Sequence, residues 1–164
     1  MMSVITKQNR YSKESSIGFF AGMGDFGDFC NEALCTISIN GTEYNSVEHY
    51  YLCEKFRGSV VGGRILKSPS PTVARCIAGS NAGKVRFGWE EMRVAVMRSG
   101  LAAKFIQHPD LARSLLTTGE AELYEFRNED PFWGKRSDGT GKNMFGRLLM
   151  EIRDKLRRGV ILMK

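Results

Sequence analysis

Residues 35–44 leave the backbone few choices. Cys35 to Ile39 alternates apolar and polar side chains, Asn40-Gly41 is the strongest short signal for a two-residue turn, and Thr42 to Tyr44 returns. A β-hairpin here delivers the chain into N-S-V-E-H-Y-Y-L-C-E-K-F, residues 45–56, which begins with a helix-start signal. Read as a helix, this stretch sets Glu48 and Lys55 two turns apart at ~3.6 residues each, so both project from one face and can meet one substrate. Each residue also has a purely structural reading. Asn45 as N-cap with Glu48 three positions later is a capping box, which accounts for an acid there by itself. Lys55 fits a solvated surface lysine, and Tyr50, Tyr51 and Phe56 fit core or cleft wall as well as a stacking platform. Spacing alone leaves both readings open.

The remaining pattern is dominated by helices. Trp89 to Ile106 gives the longest, with Met92, Val96, Leu101 and Phe105 on its apolar side and Gly100 as a point of weakness or a kink. Ser68-Pro69-Ser70-Pro71 supplies cap and proline pairs ahead of T-V-A-R-C-I-A, with Gly79 as the stop. Lys67 and Ser68 precede that helix start, where amides and the dipole favour an anion, although plain capping explains them equally. Pro109 opens a further helix that stops near Gly119, and Asn143 to Arg158 closes the chain as an amphipathic helix. Ile17 to Ala21 and A-E-L-Y-E-F read as short strands, while R-G-S-V-V-G-G-R after Phe56 reads as a turn or loop. N-E-D-P-F-W-G-K-R-S-D-G-T-G-K-N has no apolar periodicity and is expected to be a long functional loop. The expected fold is a compact α+β domain, helix-dominated with a small sheet, over residues 17–158, between a flexible segment 1–16 and a tail 159–164.

At 164 residues the chain can bury a core without a metal or disulfide staple. Its four cysteines follow no CxxC spacing, which fits reduced thiols in the cytoplasm. His49 and Cys53 stand one helical turn apart, but with two histidines in the chain and no further ligand cluster, neither metal nor cofactor is expected. No secretory signature and no run of ~18 apolar residues occurs, so no membrane partner is expected. The net charge of +6 leans toward phosphate-bearing partners. An ordinary nucleic-acid-binding module would show a recognised motif or a concentrated basic helix, and neither is clear.

With these stretches assembled, the chain resembles the NADAR family, named for NAD and ADP-ribose, from about Phe26 to Leu156. The resemblance is carried by F-G-D-F-C-N, S-V-E-H-Y-Y-L-C-E-K-F, K-S-P-S-P-T-V-A, R-F-G-W, A-K-F with L-L-T-T-G, L-Y-E-F-R-N-E-D-P-F-W-G and G-K-N-M-F-G-R-L-L-M-E-I-R. Each is weak alone; their order and spacing are specific. The resemblance implies an N-glycosidase that breaks the bond between a ribose C1 and an exocyclic amine. Its substrates would be ribosylamino-pyrimidine intermediates of riboflavin synthesis, or guanine bases carrying ADP-ribose. On the matching positions Glu48 and Lys55 become catalytic candidates, and Asp130, Trp133, Gly134 and Asn143 pocket candidates. Asn31, Tyr51, Arg64, Lys67, Ser68, Trp89, Phe132 and Lys142 complete the expected substrate-binding set. Two departures stand out: Cys30-Asn31-Glu32 where members commonly carry an aromatic, and Lys135 where they commonly carry glycine or an acid.

The implied chemistry is coherent. An N-glycoside of an exocyclic amine can open its sugar ring to an imine, which a lysine amine intercepts as a Schiff base. That needs a partly neutral Lys55, which burial among Tyr50, Phe56 and the tryptophan loop would favour. Glu48 would shuttle protons to the ring oxygen and leaving amine, worth about 10²–10⁴-fold. Trp133 or Phe132 would stack on the base, and Arg64, Lys67, Lys142 or the glycine loops would take phosphate oxygens. The charge, with Lys135-Arg136 and Lys142, tilts the expected substrate toward ADP-ribosylated nucleic acid over a ribosylamino-nucleotide. A module that binds ADP-ribose without turnover is the competing class, and it would not need the Glu48 and Lys55 pair.

Overall fold

The computed structural model describes residue 12 and residues 14–160; most of the segment and part of the tail expected to flank the domain lie outside them. The hairpin is present. Strands β1 (Ser16–Phe19), β2 (Ile37–Ile39) and β3 (Thr42–Tyr44) come first, with β2 and β3 antiparallel and both Asn40 and Gly41 at the positive φ that their turn requires. The chain then enters helix α1 (Val47–Lys55). Its cap is Ser46, one residue later than expected, whose hydroxyl oxygen accepts the His49 amide at 3.2 Å. The shift by one removes Glu48 from any capping box and leaves its carboxylate free for other partners.

The expected loop after Phe56 is instead helix α2 (Val60–Leu66). Gly62-Gly63 is poor helical sequence, but Val61 and Ile65 are 1 % and 0 % exposed, and their burial outweighs it. Helix α3 (Pro71–Gly79) starts on the expected Ser70 cap, followed by α4 (Trp89–Gln107) and α5 (Pro109–Thr117). Helix α4 continues through Gly100 without a break. A Cβ at that position would lie 2.9 Å from atoms of Tyr50 and Val47, so the glycine lets α1 and α4 approach closely.

Strand β4 (Glu122–Glu125) pairs in parallel with β1, setting Ile17 beside Leu123 and Phe19 beside Glu125. Alternation in both strands turns these four side chains inward. Helix α6 (Met144–Arg157) covers the pair, with Phe145, Leu148, Leu149 and Ile152 fully buried. Each such side chain contributes about 1.5–3 kcal/mol through burial. Phe29 stands edge-on to Phe19 and Phe105 at 6.0 and 5.7 Å, and the buried Lys104 of α4 donates to the carbonyls of Asp28 and Cys30 at 2.5 and 2.8 Å. These contacts fix the segment that ends at Asn31. Among the described residues the architecture is α+β, six α-helices and two short 3-10 helices against two small sheets.

Candidate active site

A cleft of about 350 Å³ opens over α1, and both Glu48 and Lys55 line it. Arg75 comes from α3, Trp89 and Arg93 from α4, Glu125 from β4, and Asn31, Arg127, Asp130 and Trp133 from the connecting segments. Glu48 is 6 % exposed and accepts a hydrogen bond from the Asn31 amide group, whose oxygen in turn accepts from Arg127 at 3.5 Å. Arg127 also lies 2.8 Å from Glu125 and 3.1 Å from Glu32, and Glu32 pairs with Arg75. Burial is the main reason the Glu48 carboxyl is pushed up to about 7; the Glu32 charge adds to it, and Arg127 and Arg75 oppose it. Burial raises the Glu125 carboxyl as well, against the pull of Arg127. A buried carboxyl poised near neutrality beside a cleft can both give and take a proton.

Lys55 is half-buried at the other end of the same helix face. At ~1.5 Å per residue its Cα lies ~10 Å from that of Glu48, and helical side chains lean toward the N-terminus, which brings the amine back toward the carboxyl. Tyr50 and Phe56 do not enclose it as expected. Tyr50 stands edge-on to Tyr44 at 5.2 Å beside Gly100, and Phe56 is wholly in the core. The aromatic wall shared with Lys55 is Tyr51, flanked edge-on by Trp89 at 4.9 Å and Trp133 at 5.9 Å. Asp130 positions that wall: its Oδ1 accepts the Phe132 and Trp133 amides at 3.2 and 3.3 Å.

Seven of the expected binding residues stand elsewhere. Arg64 and Lys67 are exposed on α2 and its cap, away from the cleft lining. Ser68 is buried; its hydroxyl donates to the Ile65 carbonyl at 2.7 Å, and its carbonyl accepts from the His49 ring at 3.2 Å, so both groups serve the turn rather than an anion. His49 Nδ1 is bonded to the Ser46 hydroxyl at 2.8 Å, so both ring nitrogens are committed. Phe132 stands edge-on to Trp133 at 5.1 Å with the Arg93 guanidinium 3.7 Å from its ring centre, and it lines a separate shallow cavity with Lys142. Gly134 serves backbone packing, since a Cβ there would meet the Glu125 carbonyl at 2.5 Å. Asn143 is 3 % exposed and donates to the Leu123 carbonyl at 2.9 Å, which seats α6 on β4. Lys135 is held by Glu122 at 2.6 Å.

Sequence reasoning passed over Glu125, Arg127, Arg75 and Arg93. Glu125 carried a readable signal, a carboxylate in phase with Leu123 on the inward face of a strand. The arginines carried none, because only tertiary packing brings them to Glu32 and to the cleft.

The NADAR domain family model matches residues 11–157. N-glycosidase YbiA of Escherichia coli (strain K12) is 37% identical over 144 residues, which cover 88% of this chain and 90% of that protein. N-glycosidase Npun_R5314 of Nostoc punctiforme is 31% identical over 145 residues, covering 87% and 93%. Riboflavin biosynthesis protein VVA0006 of Vibrio vulnificus is 35% identical over 144 residues, and the match spans 39% of that longer protein. The NMR structure of E. coli YbiA superposes with a TM-score of 0.84 and 34% identity over 94% of this chain and 92% of that one. The chain belongs to the NADAR domain family and is a glycosidase.

Proposed function

We propose that this N-glycosidase hydrolyses the bond between ribose C1 and the exocyclic amine of a ribosylamino-pyrimidine phosphate, an intermediate of the kind found in riboflavin synthesis. The observation that carries this reading is a buried, nearly neutral Glu48 carboxyl in a cleft sized for one nucleotide. In the first step the amine nitrogen pushes electrons to C1, the C1–O bond of the ring breaks, and Glu48 gives its proton to the departing ring oxygen. The Lys55 amine then adds to the resulting imine carbon. A proton passes to the substrate nitrogen, the C1–N bond breaks, and the sugar remains on Lys55 as a Schiff base that water hydrolyses. Asn31 and Arg127 keep Glu48 oriented, while Arg75 and Arg93 take phosphate oxygens in place of the Arg64, Lys67 and Lys142 expected from sequence. Tyr51, Trp89 and Trp133 keep that side of the cleft dry.

Removal of ADP-ribose from guanine in nucleic acid is the second reading, favoured by the net charge of +6. Both are tested by giving the purified protein ADP-ribosyl-guanosine DNA and the ribosylamino-pyrimidine phosphate side by side and comparing kcat/KM. Efficient cleavage of the small phosphate alone supports the first reading. Preferred release of ADP-ribose from DNA reverses it, and cleavage of neither revives a binding module.

A further inference from the structure

A second cavity of about 440 Å³ adjoins the catalytic cleft, and Glu125, Arg127 and Asp130 line both. The two differ in character. In the first, the aromatic side chains are packed against one another, with Tyr51, Trp89 and Trp133 only 9 %, 4 % and 6 % exposed, so they offer little free face to a ligand ring. In the second, Phe20 and Phe126 are 44 % and 41 % exposed, and the polar lining includes the carboxylates of Glu125, Glu129 and Asp130. Glu125 is 2 % exposed, and its carboxylate is held by Arg127, with Nε 2.8 Å from Oε2 and Nη2 donating to Oε1 at 3.1 Å. A buried ion pair therefore stands between the two spaces, and Glu129 and Asp130 edge the second.

We propose that this second cavity receives the heterocycle that leaves with the amine, while the sugar and phosphate occupy the cleft over α1. The proposal deepens the reading given above and rests on it for the identity of the substrate. A ring with several amino and N–H groups, such as an aminopyrimidine, presents donors and few strong acceptors along its edge. Ionised carboxylates are acceptors only, so Glu125, Glu129 and Asp130 complement that edge. The exposed faces of Phe20 and Phe126 offer stacking surface that the first cleft lacks. The position also suits the reaction. Glu48 is bonded to Asn31 and Asn31 to Arg127, and Arg127 lines both cavities, so a substrate laid across the Arg127 side chain from one cavity to the other would bring its C1–N bond toward the carboxyl. The Trp133 or Phe132 stacking expected from sequence is replaced by stacking on Phe126 and Phe20.

The test uses the intact protein with two separate probes, 2,4-diamino-6-hydroxypyrimidine for the ring and ribose 5-phosphate for the sugar, each titrated by calorimetry. Phe126→Ala and Glu129→Gln should each weaken the ring probe by at least about fivefold and leave ribose 5-phosphate unchanged. Both positions are surface-facing, and the Phe126 amide that bonds to Phe19 at 3.0 Å is retained in alanine, so the fold is kept. Ring binding that ignores both substitutions but is lost in Tyr51→Ala or Trp133→Ala would overturn the proposal, as would a wild-type protein that does not bind the ring. Because the probes are not turned over, this outcome is read independently of glycosidase activity. Cleavage with no effect of Phe126→Ala or Glu129→Gln on ring binding removes the subsite alone, while ring binding that depends on them without cleavage removes only the assigned reaction.

Discussion

Keeping the Glu48 carboxyl out of water serves the proposed chemistry and works against the fold. Its folded value of about 7 lies above the ordinary 4.5, so the folded protein holds a proton that the unfolded chain has already released. Stability from this group is therefore level below pH 4.5, falls as pH rises toward 7, and is level again beyond, with a full loss of about 3 kcal/mol. Glu48→Gln removes the charge and can still accept the Asn31 hydrogen bond. The variant should match wild type near pH 4.5 and exceed it by about 1–3 kcal/mol at pH 8 in urea unfolding, while turnover drops by at least about 10². In the wild type, kcat/KM should decline as pH rises through about 7, because the proton is given by the protonated form. A glutamine variant with no stability gain at alkaline pH would mean that the carboxyl ionises as an ordinary surface acid. For Lys55 the informative exchange is Lys55→Arg, which keeps a cation and loses the nucleophile. It should be as inactive as Lys55→Ala, and borohydride during turnover should fix the sugar on Lys55 of the wild type. An active arginine variant, or turnover with no adduct on any lysine, would favour direct attack by water. Glu48 and Lys55 were legible because one helix carries both, and helical spacing is a local property. The Glu32, Arg75 and Arg127 network was not, since its members lie on three segments that meet only in the folded chain.

At the scale of elements, the departures from sequence reasoning share a cause. Helix α2 and the unbroken α4 both contain glycines that local propensity counts against helix. In each, tertiary contact decides. Val61 and Ile65 anchor α2 in the core, and Gly100 admits Tyr50 and Val47 of α1. The hairpin, the α3 cap and the last helix were legible because their signals are chemical and local, namely an Asn-Gly turn, a serine before proline and an apolar stripe. Gly100→Ala tests which influence dominates. On an isolated helix the change stabilises by about 0.8–1 kcal/mol. Here the added methyl forces α1 and α4 apart, and overpacking of this kind typically costs about 1–3 kcal/mol. We expect a net fall in the urea midpoint together with a lower kcat, because the displaced helix carries Glu48 and Lys55. A raised midpoint with unchanged kcat would show that the contact relaxes freely and that the glycine has no packing role.

Across the whole molecule the positive charge is dispersed rather than gathered. Arg75 and Arg127 are paired with Glu32, Arg57 and Arg86 with Glu54, Arg98 and Lys155 with Glu151, Lys135 with Glu122, and Arg157 with Glu120 and Asp154. Lys104 is buried against carbonyls. Away from the cleft, cations engaged in this way contribute little to a phosphate-binding track, and those that line the cleft, Lys55, Arg75, Arg93 and Arg127, surround one cavity of about 350 Å³. The consequence is a weak dependence on salt. A protein that meets 6–10 backbone phosphates loses about 10³–10⁵ in affinity between 50 and 200 mM salt. One phosphate held by two arginines releases far fewer counterions, so KM for the ribosylamino-pyrimidine phosphate should rise by less than about tenfold over the same range. The measurement is KM at four salt concentrations plotted as logarithms. A slope near one fits the enclosed cleft, whereas a slope of about four or more would require a phosphate track outside it and would restore nucleic acid as the substrate.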